Sequence, residues 1–310
     1  MGELAVPGRE RERVERGIRA PREKESHVGS IRKVLVTGSS GQLGAEICRQ
    51  LSSDYQVTGL DTAPGPFTQV LGSVDDRARV FEQVAQVHAV IHVASLHAPH
   101  RDVLPKSRFV DVNVQGALHL LEAAVAYHCQ RFVYTSTTSV YGRAMEPRAD
   151  AAIWVTEELT PEPRDIYDVT KLAAEQLCQL IHEEAGLPVI ILRTSRFYPQ
   201  PGEALAIHRL HRGLDVRDCA HAHRLALEAP VPFGLYNVSA RSPFEREDLR
   251  ELLHDAPGVI RRRAPEVAVL LAQRGIPIPS SMDRVYVIER AESELGFHPR
   301  FNALEFLQGA

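Results

Sequence analysis

Tyr167 and Lys171 lie four residues apart in the run Tyr167-Asp168-Val169-Thr170-Lys171. Residues at this spacing share one face of a helix, so the lysine ammonium can stand beside the phenol. A neighbouring cation favours phenolate over phenol and draws a tyrosine pKa towards neutral pH. The pair therefore suits taking a proton from a hydroxyl, or giving one back. On a solvated helix surface the same spacing does nothing, so the setting decides.

The setting comes from a second motif. Thr37-Gly38-Ser39-Ser40-Gly41-Gln42-Leu43-Gly44 follows the β-branched apolar run Lys33-Val34-Leu35-Val36-Thr37 and opens a helix-periodic stretch through Ala45, Ile47 and Leu51. A strand, a glycine turn and a helix in that order suit a dinucleotide. Gly38 permits the tight turn, Gly41 lets backbone amides approach a pyrophosphate, and Gly44 lets the helix pack on the strand. The helix N-terminus then stabilises the phosphate charge. Ser40, Gln42 and Leu43 belong to the same turn and are expected contacts. Asp61 ends the second strand, seventeen residues after Gly44. A carboxylate there accepts hydrogen bonds from the adenosine ribose and repels a 2′-phosphate, which selects NAD over NADP. Its other use is to start the turn Asp61-Thr62-Ala63-Pro64-Gly65.

The elements that must carry these residues alternate along the chain. Strands are expected at 33–37, 55–60, 69–71, 87–93, 131–136 and 188–193, with helices at 75–86, 107–128 and 165–185. Continuous apolar strands joined by helices make an α/β fold with a doubly wound parallel (Rossmann) sheet. Tyr167 and Lys171 then sit between its fifth and sixth strands. After Arg193 the pattern weakens: Pro199-Gln200-Pro201-Gly202 breaks it, helices follow near 218–229, 245–254 and 288–295, and a strand at 235–238. Residues 31–195 read as the NAD-binding domain with the catalytic motif. Residues 196–310 read mainly as a small C-terminal substrate-binding lobe, with some elements returning to the sheet. Residues 1–30 are charged, with almost no large apolar side chains, and read as a disordered tail.

The formal net charge of −4 offers no basic excess for a nucleic-acid backbone, and Arg261-Arg262-Arg263 reads as a solvated flank. No secretory signal and no apolar run of membrane-spanning length is evident, which points to the cytoplasm and to no membrane partner. The four cysteines, Cys48, Cys129, Cys178 and Cys219, are far apart and form no Cys-x-x-Cys pair, as in a reducing compartment. The histidine pairs His97/His100, His208/His211 and His221/His223 lack the cysteines or paired carboxylates of a metal site, so no metal is expected.

Together the motifs resemble the extended branch of the short-chain dehydrogenase/reductase superfamily, the NAD-dependent epimerase/dehydratase family. The resemblance spans residues 33–240. It rests on the glycine turn, Asp61, Val90-Ile91-His92-Val93-Ala94-Ser95, Asn113-Val114-Gln115-Gly116, Phe132-Val133-Tyr134-Thr135-Ser136-Thr137-Thr138-Ser139-Val140-Tyr141-Gly142 and the Tyr/Lys pair. Weaker echoes follow in Leu214-Asp215-Val216-Arg217-Asp218-Cys219-Ala220 and Glu294-Leu295-Gly296-Phe297. The resemblance implies NAD as cofactor. It also implies that Thr137, with Ser136 as the neighbouring alternative, holds the substrate oxygen while Tyr167 moves a proton and hydride passes to or from the nicotinamide. It places Val93, Ala94, Ser95 and Thr135 against the cofactor, Ser73 and Val74 by the adenine, and Asn113 as a brace. Thr138, Arg196 and Arg284 are the implied substrate contacts. Helices at 107–128 and 165–185 are implied to pair across a homodimer.

Three departures shape the expected substrate. The sugar-nucleotide 4,6-dehydratases follow their threonine with an Asp-Glu pair; Thr138 and Ser139 stand here, which argues against 4,6-dehydration. Arg196 occupies a position where the family usually has Asn, and the stretch from Pro199 to Leu214 is short for a nucleotide-gripping loop and helix. The expected function is an NAD-dependent epimerase or dehydrogenase acting on a hydroxyl of a sugar or sugar-nucleotide. The alternatives are a non-catalytic NAD(H)-sensing regulatory protein, or an oxidoreductase of a smaller anionic hydroxy substrate. Arg196 could pair with that substrate's carboxylate or phosphate bidentately, or could equally make a structural salt bridge.

Overall fold

The apolar runs become strands because side chains on both of their faces find cover. In the computed structural model, which describes residues 31–97, 100–147, 149–197 and 202–309, the strands are β1 (Lys33–Thr37), β2 (Gln56–Asp61), β3 (Val70–Leu71), β4 (Ala89–His92), β5 (Arg131–Thr137), β6 (Ile153–Val155), β7 (Val189–Thr194), β8 (Phe233–Val238) and β9 (Arg284–Tyr286). Seven of them form one sheet in the order β3-β2-β1-β4-β5-β7-β8. Every pairing within it is parallel. This is the doubly wound arrangement expected. The tail expected over 1–30 lies outside the described residues, as does Tyr198-Pro199-Gln200-Pro201.

The helices are α1 (Gln42–Leu51), α2 (Arg77–Val84), α3 (Lys106–Phe109), α4 (Gly116–Ala126), α5 (Ile166–Ala185), α6 (Gly202–His211), α7 (Val216–Glu228), α8 (Leu249–His254), α9 (Ala256–Arg263), α10 (Pro265–Gln273), α11 (Glu289–Leu295) and α12 (Ala303–Gln308). Alternate strand residues feed two cores, as a sheet buried on both faces requires. Val34, Val36, Ile91 and Leu192 pack with α1, α7 and α11. Leu35, Val90, Phe132 and Ile191 pack with α2, α4 and α5. A third cluster joins Phe244, Leu252, Ile260, Leu271, Met282 and Leu307.

The structure differs from expectation in two places. The single helix expected over 107–128 is instead α3, a π-helical turn over Val110–Gln115, and α4. The wide turn accompanies Asn113, whose side chain reaches out of the helix to two other elements. Such turns are rare and gather at functional sites. Secondly, β6, β9, α6, α9, α10 and α12 carry no strong periodic signal. β6 and β9 are three residues each, and they pair in parallel with Ile153 opposite Arg284, a long-range match that local pattern cannot show.

Candidate active site

The carboxyl ends of the parallel strands open onto a cavity of about 1110 Å³. That is large for a single ligand pocket and leaves room for a dinucleotide and a second molecule. Gly38 follows β1 with φ 75°, and a Cβ there would stand 2.8 Å from Ala94 N. A Cβ on Gly44 would lie 2.0 Å from the Gly38 carbonyl oxygen, so α1 can sit this close only because position 44 is glycine. No acidic residue occupies the first turn of α1, which leaves its N-terminal partial charge available to a phosphate. Gly38, Gly41, Gln42, Leu43 and Gly44 all line the cavity. Gly44→Ala should destabilise the chain by about 3 kcal/mol or more and abolish dinucleotide binding. Thermal unfolding and an NAD titration would check both, and normal NAD affinity would count against this packing role.

Asp61 lines the cavity beside the turn. Its carboxylate accepts from Ser40 N at 2.9 Å and Ala63 N at 3.0 Å. Ser40 is not on the cavity wall. Its hydroxyl donates to Ala63 O at 2.6 Å and meets Thr68 Oγ1 at 2.7 Å, so it acts as a strut between the glycine turn and the chain after Asp61. Ser73, Val74, Val93, Ala94 and Ser95 complete this half of the wall. The turn, the helix terminus and the carboxylate fit a dinucleotide with a free 2′-hydroxyl.

α5 starts at its cap Asp165, which accepts from Asp168 N at 3.0 Å, and ends at Gly186 in the left-handed region. Its apolar stripe, with Ala174, Leu177, Cys178 and Ile181, packs on the sheet and aims Tyr167 and Lys171 at the cavity, where both line the wall. Thr135, Thr137 and Thr138 reach the same wall from β5 and the turn after it. Thr137 Oγ1 accepts from Ser139 N at 3.1 Å, which fixes the hydroxyl and leaves its proton to donate.

Lys171 is 3% exposed. Its Nζ donates to Thr135 O at 2.6 Å and lies 4.2 Å from the centre of the Tyr134 ring. Burial pulls its pKa down to about 7, with the Glu175 carboxylate working the other way. Asn113 braces the site from the π turn. It accepts from Leu96 N at 2.8 Å, and its amide donates to Leu96 O at 2.9 Å and Thr170 Oγ1 at 3.0 Å. The loop after β4 is thereby tied to α5. Two histidines below the wall are neutral. Burial lowers His92 to about 3 and His223 to about 4, and they bond Thr37 Oγ1 and Thr135 Oγ1, each at 2.8 Å.

The cavity also carries positive charge. Six arginines line the cavity: Arg101, Arg108, Arg164, Arg196, Arg212 and Arg284. Four are paired with carboxylates: Arg101 with Asp165, Arg108 with Asp75 and Asp111, Arg164 with Asp168, and Arg284 with Asp283. Arg196 and Arg212 have no ion-pair partner among the described residues. Their backbones are neighbours, because Arg196 bridges Gly213. Arg196 is two residues beyond Thr194, which is in register with Thr137. The structural salt bridge entertained for Arg196 is therefore not seen among the described residues.

Every catalytic, cofactor and substrate residue expected from sequence except Ser40 lines this one cavity, and Asn113 braces it from behind. Sequence reasoning missed Arg101, Arg108, Arg164, Arg212, Met145 and Tyr286, which also line it. None sits in a local motif. Arg212 lies just past the end of α6, and Tyr286 arrives only through the β6–β9 pairing. Among the described residues no group of three His, Cys, Asp or Glu side chains is placed to hold a metal ion.

The family model for the NAD dependent epimerase/dehydratase family matches residues 34–207. A dTDP-glucose 4,6-dehydratase of Streptomyces niveus is 32% identical over 312 residues, covering 86% of this chain and 88% of that protein. A protein of Bacillus subtilis described as an uncharacterized UDP-glucose epimerase is 31% identical over 199 residues, covering 57% of this chain and 61% of its own length. Among solved structures, a short-chain dehydrogenase/reductase superfamily protein from Agrobacterium tumefaciens with bound NAD superposes with a TM-score of 0.66 at 24% identity, covering 89% of this chain and 95% of that one. That likeness shows the fold. The family match takes in the glycine turn, Asp61, Thr137, Tyr167 and Lys171 together, and on it the chain belongs to the NAD dependent epimerase/dehydratase family.

Proposed function

We propose that the chain is an NAD-dependent epimerase or dehydrogenase acting on a hydroxyl of a sugar nucleotide, with Tyr167, Lys171 and Thr137 as its catalytic residues. The observation that carries this reading is their convergence on the cavity that also holds the glycine turn and Asp61. Bound NAD supplies the two-electron acceptor and donor. Thr137 donates to the substrate oxygen, Tyr167 takes the hydroxyl proton, and the Lys171 ammonium stabilises the phenolate. Return of the proton by Tyr167 completes the reverse step. Thr138 and Ser139 bring no acid or base beside Thr137, which favours this chemistry over elimination of water. Arg196 and Arg212, with Arg284 beside them on its Asp283 partner, meet the substrate's anionic part, so residues 196–310 act mainly as the substrate-binding portion.

The reading is tested by incubating the chain with NAD and a panel of sugar nucleotides. NADH accumulating in step with substrate loss marks a dehydrogenase. An inverted sugar without net NADH marks an epimerase. Neither outcome with any sugar nucleotide would sink the proposal.

The working unit we infer is a homodimer in the cytoplasm. Val169 and Leu180 are 50% and 45% exposed on α5, eleven residues apart and so on one helix face. Val110, 45% exposed, belongs to the π turn before α4. Light scattering should give twice the chain mass, and Val169→Asp with Leu180→Asp should halve it. A monomeric parent would remove this part. Among the described residues no helix is long and apolar enough to cross a membrane. All four cysteines are buried and free, which supports a reducing compartment.

A further inference from the structure

One buried charge cluster is not used by the reaction as described. Glu175 lies one helical turn beyond Lys171 on the same face of α5 and is 4% exposed. Arg193 of β7, equally buried, grips it with Nε at 3.0 and 3.3 Å from its two oxygens and Nη2 at 2.7 Å. Ser136 donates its hydroxyl to the same carboxylate. Ser136 stands between Thr135, whose carbonyl receives Lys171, and Thr137. Its own carbonyl accepts from Thr194 Oγ1 at 3.0 Å. A buried ion pair is weak evidence of stability, because desolvation offsets much of the attraction. Its position next to the catalytic lysine asks for another account.

We propose that Glu175 is a positioning residue for the reaction: through Ser136 it fixes the strand end that seats Lys171 and Thr137, and its charge holds Lys171 as the ammonium. Among the described residues, no other carboxylate faces Lys171. β5 presents the Tyr134 ring, and β4 presents His92, which burial keeps neutral. The loop after β4 presents His97, lowered by burial and further by His100. α5 adds Tyr167 and the Cys178 thiol, which burial raises. Glu175 is thus the one carboxylate acting on Lys171 among the described residues, and it favours the charged form. Arg193 stands behind it. Burial works against the Arg193 charge, and Glu175 more than offsets that, so the guanidinium titrates above its usual range. Arg193 therefore holds the Glu175 carboxylate in place while partly screening it.

The proposal rests on Lys171 serving Tyr167, but its test reads Lys171 directly and needs no substrate. The chain has four lysines, Lys24, Lys33, Lys106 and Lys171, so ¹³C-labelled lysine side chains can be assigned by NMR. Glu175→Gln should lower the Lys171 titration midpoint by at least one pH unit, and Arg193→Met should raise it. Opposite signs are what a charge role gives; a purely structural role lowers stability without ordering the midpoints. If either single variant fails to fold, Glu175→Gln with Arg193→Met removes both charges of the ion pair together. In that double variant the midpoint should still fall, by less than in Glu175→Gln alone. A midpoint equal to the parent's in the double variant, or moving the same way in both singles, would overturn the proposal. Turnover by the parent judges the reaction separately.

Discussion

Tyr167→Phe should lower kcat by about a thousandfold while NAD affinity stays within a fewfold of the parent, a loss typical of removing a general base. The ring remains to pack at the head of α5, so the cavity keeps its shape. What goes is the phenol oxygen, which shares a helix face with Lys171, a buried ammonium kept out of water. Thr137 cannot take over. Its Oγ1 already accepts the Ser139 amide, so it is set up to donate and not to remove a proton. NAD binding followed by fluorescence, alongside turnover of the best sugar nucleotide, separates the two effects. Near-normal turnover in Tyr167→Phe would show that another group is the base.

Lys171→Met should make the fold less dependent on pH between 7 and 10, and at the same time inactivate it. A lysine drawn down to about 7 by burial costs the folded state on the order of 5 kcal/mol when charged, taking an ordinary value near 10.4 for the unfolded chain. The sign follows from proton counting. Between those two values the unfolded chain binds more protons at this residue than the folded one, so stability rises with pH. Above the upper value the penalty is absent, and below about 7 it is present in full. Methionine fills similar space without a charge but strands the Thr135 carbonyl, so its melting temperature need not exceed the parent's at every pH. The informative quantity is the difference between the two melting temperatures. It should shift in the parent's favour by on the order of 5 °C or more from pH 7 to pH 10. A difference that stays flat with pH would mean that Lys171 is not held out of water as described.

The parts of the site that were legible in the sequence are those in which function imposes a local spacing. The glycine turn needs its residues at fixed steps because one backbone must pass another closely, as Gly44 passes Gly38. Tyr167 and Lys171 need four residues because a helix puts them side by side. The strands of the main sheet were readable because both faces are apolar. The rest depends on partners distant in sequence. Asn113 widens its helix into a π turn for the sake of Leu96 and Thr170. Glu175 meets Arg193 only once α5 lies across β7. Arg212 faces the same cavity as Arg196 because a single bridge sets Gly213 beside that strand's continuation. None of these could be read from a local window, whose pattern is silent about register.

The β6–β9 pair has a consequence for the order in which the enzyme is made. A ribosome delivers the glycine turn, Asp61, Thr137 and the Tyr–Lys helix first, then β7 and β8, which complete the main sheet. β9 emerges much later, yet it pairs with β6 and brings Arg284 and Tyr286 to the cavity. The dinucleotide half of the cavity is therefore encoded early in the chain and part of the far wall late, more than a hundred residues after Lys171. The wall that Arg284 and Tyr286 supply is thus complete only after the glycine turn and the Tyr–Lys helix have already been made.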